Sequence, residues 1–531
     1  NFFIKLILRC SDSKVNLPTA IKILKERLVE ISHLTSILNL LEWDQEVNMP
    51  RKAGDARAEA FAHLAGIIHG KVLALNDEGH LRQLKKLLDE GKISGGNAVI
   101  VTETWRTYDR EIKLPASFVQ ELATTISKAQ GVWVQAREQN DFSIFLPYLE
   151  KIIKLKKQEA ELVGYTTSPY DALLDAYEPG IDTTTASTIL LGLKEFLVPF
   201  LKQIAESKVK IESKRVKGRF KLHQQILFNE LVLKKIGFDL EAGRLDASVH
   251  PFSSGFHPYD VRLTTRYKEN NVLYSLGSTI HEAGHGLYEQ GLPVEHFGTP
   301  LAETVSLGIH ESQSRLWENH IGKGRSFWKY FYPKLQRAWP KPFQNISSAE
   351  FYQIINRVQP SLIRTEADEV TYNLHIIMRF ELERDLIEGK IKAKDLPAMW
   401  RAKMKEYLDI EVPSDTLGVL QDVHWSAGLF GYFPTYSFGN LYAAQFYAKM
   451  EKDLPDLDRK IAGGDFTAVI EWLRRHIHMT GKTDTASDLV KKVTGEALDP
   501  KYFNQYLEKK YREIYNQKDF PVSLLRGRMK E

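Results

Sequence analysis

The amino-acid sequence predicts a mainly α-helical protein with one small β element. Three observations carry that prediction. Apolar residues recur every three or four positions along most of the 531 residues. Strand-like alternation is confined to one short stretch. No internal repeat and no Gly-, Pro- or Ser-rich linker divides the chain, so one large unit is expected.

The elements follow in order. Behind Pro18, the residues Ile21, Leu24, Leu28, Ile31, Leu34, Leu38 and Leu41 form one apolar face of a first helix. The same period runs through about 54–90, 115–140, 143–163, 184–206, 222–236, 365–388, 465–476 and 500–515. Between 259 and 268, Val261, Leu263 and Thr265 alternate with Asp260, Arg262 and Thr264, which is the period of a strand. Helical patterning surrounds 276–287, with Gly291, Leu292 and Pro293 as a stop, and returns over about 301–320. The opening residues are apolar but lack a basic lead and a small-residue cleavage site, so no signal peptide is expected. The expected division is an N-terminal extension, 1–15, and a single unit, 16–531, with two lobes around a cleft.

Composition narrows the function classes. Lys plus Arg number 72 against 68 Asp plus Glu, a net charge of +4. That is too mild to point to nucleic acid or a membrane surface. A basic stretch, Lys208, Lys210, Lys214, Arg215, Lys217, Arg219 and Lys221, has no interleaved aromatics and reads as a solvated helix face. Cys10 is the one cysteine, so no intramolecular disulfide forms, which fits a reducing compartment. No apolar run reaches the roughly 18 residues that span a bilayer. A cytoplasmic protein is expected, with no nucleic-acid or membrane partner.

The chemistry-bearing motif is His281, Glu282, Ala283, Gly284, His285. Residues four apart on a helix are about 400° apart, so both imidazoles leave one face. Two nitrogens from one rigid element suit a tetrahedral Zn²⁺. Glu282, one position on, can reach a metal-activated water without joining the ligands, as a general base must. Such a string arises by chance in about one chain in thirty of this length. A catalytic zinc takes three protein ligands. Position 291 is glycine, which removes a third histidine at metzincin spacing. Glu303 and Glu311 both qualify by distance along the chain. They lie about 80° apart on one helix, and spacing does not choose between them.

Further signatures occur in a fixed order. They are Trp43 to Glu46 with Met49 and Pro50; His250 to Phe252; Asp260 to Thr264; His281 to His285; His310 to Gln313; Ile363 to Asp368; Gly418 to Trp425; and Gly431 to Tyr436. In these the sequence resembles the carboxypeptidase Taq family of zinc metallocarboxypeptidases over nearly its whole length. The resemblance implies a mostly helical fold with a deep groove, similar in outline to angiotensin-converting enzyme and neurolysin. It implies Zn²⁺, replaceable by Co²⁺ in some relatives, with Glu311 as third ligand beside His281 and His285. It implies release of single C-terminal residues from peptides with broad specificity, poor at terminal proline, by a homodimer.

Roles follow for the remaining residues. Glu282 takes the proton of the attacking water and returns it to the leaving amine. Negative charge on the tetrahedral intermediate needs donors, for which His424 and Tyr436 lead, with Tyr432 behind. An exopeptidase must bind a free carboxylate, and a planar guanidinium does so through two bonds. Arg364 is the implied clamp, against a structural ion pair with Glu366 or Asp368. Arg262 competes with it, on a strand able to pair with substrate backbone. His250 is a groove-lining or a structural residue. Glu303 is an acceptor for a ligand imidazole or a surface carboxylate. His375 and Arg379 pack around the site. Two other functions remain open: a peptidyl-dipeptidase or oligopeptidase on the same scaffold, and a non-catalytic helical binding protein.

Overall fold

A computed structural model describes residues 16–212, 216 and 218–516. The expected extension 1–15, with Cys10, and the basic residues Lys214, Arg215 and Lys217 lie outside the described residues. Helices dominate. Most expected ranges recur within a residue or two, as Ala116–Gln139, Phe142–Val163, Thr183–Ala205, Leu222–Ile236, Thr467–His476 and Lys501–Ile514. These are amphipathic helices, whose apolar stripe shows in the sequence.

Four expectations change. The range 54–90 divides into helices Gly54–Leu73 and His80–Asp89, because Glu78 and Gly79 adopt positive φ between them. The range 365–388 begins only at Tyr372, after a single 3-10 turn at Arg364–Glu366. The stretch 301–320 is broken. Glu303 is extended, a helix runs Leu307–Arg315, and a π-helical turn, Leu316–Gly322, follows directly. Finally, Lys208, Lys210 and Arg219 are exposed as expected, but on irregular backbone and not on a helix.

The β element is a three-stranded sheet. Strand β1 (Gly243–Ala247) pairs in parallel with β3 (Asp260–Thr265), and β2 (Ser253–His257) pairs antiparallel on its other side. The predicted strand is thus the central one, with both edges taken. Val261 and Leu263 point inward and are fully buried.

The apolar interior falls into two clusters. A small one joins Ala20, Ile21 and Leu24 of the Leu17–Val47 helix to Leu81, Leu84, Ile100 and Val101. The large one takes in the sheet, the Val272–Glu289 helix and the C-terminal helices. By length and mean hydropathy, two segments are apolar enough to cross a membrane, Arg51–Asp89 and Thr183–Ala205. The second packs Leu190, Leu193, Leu197 and Phe200 into the large core. The first is only 6% buried over its apolar window, so the Gly54–Leu73 helix shows an apolar surface to solvent.

Glycines set the closest helix contact. A Cβ on Gly284 would lie 2.5 Å from the Gln313 carbonyl oxygen and from the Ser314 Cα. A Cβ on Gly439 would lie 2.5 Å from the Glu311 Cγ. The Leu307–Arg315 helix is therefore held between two others at backbone distance. Gly284→Ala is expected to destabilise the fold by about 1–3 kcal/mol, the usual cost of overpacking. Urea unfolding measures this; an unchanged midpoint would mean that the helices separate freely.

Candidate metal centre and the groups around it

The Val272–Glu289 helix brings His281 and His285 to one face on successive turns, with ring centroids 5.1 Å apart. The Leu307–Arg315 helix supplies Glu311 opposite them. Ser306 caps that helix, its Oγ accepting the Ile309 N–H at 3.0 Å. The buried Glu178 anchors the same end. It accepts from Ser306 Oγ (2.9 Å), the Gly308 N–H (2.8 Å) and Tyr442 OH (3.0 Å), so the cap is tied to the Phe433–Asp453 helix.

Glu311 Oε2 lies 3.4 Å from His285 Nε2 and 3.7 Å from His281 Nε2. One ligand atom from each residue lies within 4.8 Å of the others. Bonds of about 2.0–2.2 Å from one ion span such separations, and two imidazoles with a carboxylate are a donor set for a divalent metal. Glu303 is not part of it: the side chain is exposed and pairs with Lys482 at 2.6 Å.

Charged neighbours fix the donors. The other Glu311 oxygen accepts from Arg315 Nε at 2.6 Å, and Oε2 also accepts from Ser314 Oγ at 3.0 Å. His281 Nδ1 donates to Glu318 Oε2 at 2.9 Å, and Glu318 is held in turn by Arg315 (3.3 Å) and Lys323 (3.2 Å). The π-helical turn aims Glu318 at the imidazole. The acceptor offered for Glu303 is therefore Glu318. It lies seven residues, or two turns, beyond Glu311, and that spacing was its only signal in the sequence. The ring of His310 stacks on His285 at 4.4 Å and bonds Glu289 at 2.9 Å.

Two of the three ligand candidates are held in the deprotonated form that ligation requires. Burial, then His310, pushes His285 down to about 3, so it is neutral. Burial alone would raise Glu311, but Arg315 and His281 outweigh it and hold the carboxyl below its ordinary range. Glu318 is likewise lowered against its burial, by Lys323 and His281. A metal needs deprotonated ligands, as His285 and Glu311 are; burial acts the same way on His281, but Glu311 and Glu318 outweigh it and raise that imidazole, so binding there releases a proton. Glu282 differs. It is buried on the same helix, and desolvation, helped by the Glu311 charge, outweighs the opposing pull of His281 and His310, so its carboxyl rises to about 7.

A second group stands beside Glu311. His424 Nε2 lies 3.2 Å from Tyr436 OH, and the Tyr432 ring packs on both, 5.5 Å from His424 and 5.3 Å from Tyr436. The Glu311 charge helps to raise both phenols, after burial. Glu383 sets the connecting segment: it accepts from Trp425 Nε1 (2.9 Å), the Gly431 N–H (3.1 Å) and Tyr170 OH (2.9 Å). Gly431 is required there, with φ at +89° and the Leu173 oxygen 2.5 Å from where a Cβ would sit.

Arg364 adjoins this group, its guanidinium 5.1 Å from the Tyr436 ring. It is buried, and its ion-pair partner is Asp422 (2.9 Å), not Glu366 or Asp368. Nη1 donates to Tyr372 OH at 3.1 Å, and among the described residues no hydrogen bond engages Nη2. The other Asp422 oxygen accepts from Arg379, at 2.7 Å. His375 and Arg379 are fully buried here, as expected of packing residues.

Among the described residues, neither Arg262 nor His250 makes a hydrogen bond, ion pair or ring contact with the metal-centre residues or the Arg364 group. Arg262 pairs with Asp260 and lies over the Trp43 ring at 4.4 Å, clamping the Leu17–Val47 helix to the sheet. Its strand cannot pair with a substrate backbone, because β1 and β2 occupy both edges. His250 is exposed in the β1–β2 connection.

Comparison with known proteins finds likeness over nearly the whole chain. The family model described as carboxypeptidase Taq (M32) metallopeptidase matches residues 23–511. The thermostable carboxypeptidase 1 of Thermus thermophilus is 41% identical over 498 residues, covering 92% of this chain and 97% of that one. Carboxypeptidase 1 of Bacillus subtilis is 38% identical over 490 residues, again 92% and 97%. The crystal structure of the M32 carboxypeptidase from Deinococcus radiodurans superposes with a TM-score of 0.91 at 36% identity, covering 94% of this chain and all of that one.

Glu318→Gln is expected to weaken metal binding about 10–100-fold, the usual effect of losing a ligand's hydrogen-bond acceptor. Titration against a chelator measures it, with Glu303→Gln as the unaffected control. Equal affinities in the two variants would remove the orienting role of Glu318.

Proposed function

Because the chain belongs to the carboxypeptidase Taq (M32) family and is a metallocarboxypeptidase, we propose that it uses zinc, held by His281, His285 and Glu311, to release single residues from peptide C-termini. Cobalt is expected to substitute. A bound divalent metal supplies Lewis-acid polarisation of the scissile carbonyl and acidifies water. The chain's own residues do the rest. Glu282 takes the water's proton and passes it to the leaving amine; a carboxyl raised to about 7 by burial is matched to that exchange near neutral pH. Tyr436, with Tyr432 beside it and His424 bonded to it, presents donors to the oxyanion.

One observation carries the exopeptidase reading. Arg364 and Arg379 share the single carboxylate of Asp422, while His375 and His424 are each pushed down to about 3 by burial and are neutral. Two positive charges against one negative leave a net positive charge in a buried place. A substrate carboxylate cancels it, with the unengaged Nη2 of Arg364 as its donor. An amidated terminus would not.

We further propose broad specificity with poor cleavage before terminal proline, two lobes about a groove like that of angiotensin-converting enzyme and neurolysin, and a cytoplasmic homodimer. The two separate apolar clusters support the lobes. The apolar surface of the Gly54–Leu73 helix, with Ile67 and Leu73 exposed, supports a second copy as its cover.

Glu282→Gln is expected to keep metal and to lose activity by at least about 100-fold; turnover at the wild-type rate would refute the base. Arg364→Ala should impair cleavage of peptides with a free C-terminus far more than of amidated ones, read as kcat/KM; equal loss on both sinks the clamp. Mass spectrometry of an N-terminally blocked peptide separates the alternatives. Single-residue steps support this reading, dipeptide steps indicate a peptidyl-dipeptidase, and no products from metal-loaded protein indicate a binding protein.

A further inference from the structure

The π-helical turn Leu316–Gly322 has a second face. Glu318 points from it to His281, while Asn319 and His320 line a separate cavity of about 410 Å³ between this turn and the Phe433–Asp453 and Lys501–Ile514 helices. That cavity shares no lining residue with the metal centre or the Arg364 group. Its volume falls at the small end of ligand sites.

Its walls combine three chemistries. Tyr447 and Tyr506 flank the His320 ring, with centroids 5.0 and 4.1 Å away, and Ala444 and Ala448 continue the apolar side. His320 is 6% exposed, and its Nδ1 makes no hydrogen bond; burial pushes the imidazole down to about 3, so it is neutral. Glu451 lines one part of the cavity. Among the described residues no ion pair within 4.0 Å engages it, and burial raises its carboxyl while Lys509, another wall residue, opposes that at longer range. Lys509 likewise has no direct carboxylate partner among the described residues. The remaining wall cations are already neutralised: Lys510 by Glu369 (2.5 Å) and Arg325 by Glu513 (2.5 Å).

A small cavity thus offers two carboxylates without an ion pair among the described residues, Glu451 and Asp458, and one such ammonium, Lys509, all three on its exposed rim, with an unpartnered buried imidazole nitrogen and an apolar aromatic wall behind them. We propose that it is a second, non-catalytic binding site for a free zwitterionic α-amino acid with an apolar side chain. The ligand's ammonium meets Glu451, its carboxylate meets Lys509, and its side chain lies against Tyr447 and the alanines. The inference goes beyond the peptidase reading, since it concerns binding alone.

Equilibrium dialysis of radiolabelled L-leucine against the metal-loaded protein tests it. Two leucines per chain are expected, one in the catalytic groove and one here. Arg364→Ala should keep the cavity site. The double variant Glu451→Gln, Lys509→Met should lose it, with affinity falling tenfold or more, while leaving peptide cleavage unchanged. Because both substitutions lie on a partly exposed wall, thermal unfolding serves as the folding control. A single leucine per chain that disappears in Arg364→Ala overturns the proposal, as does a second site indifferent to the double variant. Failure of the carboxypeptidase reading would appear in the cleavage assays and leave the dialysis result at this cavity intact.

Discussion

Glu311 reaches the two histidines because three helix backbones meet with no side chain between them. Gly284 admits the Leu307–Arg315 helix from one side and Gly439 admits it from the other. At such distances a methyl group is enough to move a carboxylate away from its partners. The rest of the centre follows from this contact. The cap at Ser306, the anchor at Glu178 and the π-helical turn that aims Glu318 all belong to the segment it holds. Rigid placement matters more for a metal site than for ordinary packing, because ligand bonds tolerate only small errors in length.

The second theme is charge balance in a dry interior. Isolated buried ions are costly, so they occur here in connected sets. Glu311, Arg315, Glu318 and Lys323 form one set of two acids and two bases, complete before any metal arrives. Glu369, Lys510 and the hydroxyls of Tyr506 and Tyr511 form another. The set of Arg364, Arg379 and Asp422 is the unbalanced one, with a positive charge to spare. Imbalance in a buried place marks where a ligand of opposite sign belongs. The cavity behind the π-helical turn differs, because its charges without an ion pair among the described residues, Glu451, Asp458 and Lys509, lie on an exposed rim.

Parts of the fold are not legible in the sequence, each for a physical reason. The Phe433–Asp453 helix, which carries Tyr436 and Gly439, was not anticipated from periodicity. It is buried on nearly every side, so it has no apolar stripe and no period to detect. The helical pattern over about 301–320 runs longer than the Leu307–Arg315 helix, because the extended Glu303 precedes that helix and the π-helical turn follows it. Arg262 was read correctly as a strand residue, yet a strand's neighbours are not local information. Only the pairing of β1 and β2 with β3 shows that both of its edges are occupied. His250 gave the same difficulty: its motif is recognisable, but its side chain is exposed in a loop.

What the sequence determined by itself is what depends on residues close along the chain. It determined the mainly helical class, the bounds of six helices, the shared face of His281 and His285, and the position of Glu282 beside them. Those follow from 3.6 residues per turn. Resemblance then selected Glu311 over Glu303, a choice that spacing left open. The tertiary structure alone decided which distant groups face each other. It gave Asp422, not Glu366 or Asp368, to Arg364; it gave Glu318 to His281; and it stacked His310 on His285. Such pairings depend on how closely helix backbones approach and on which charges share a buried space. Neither quantity is written in the local pattern of the chain.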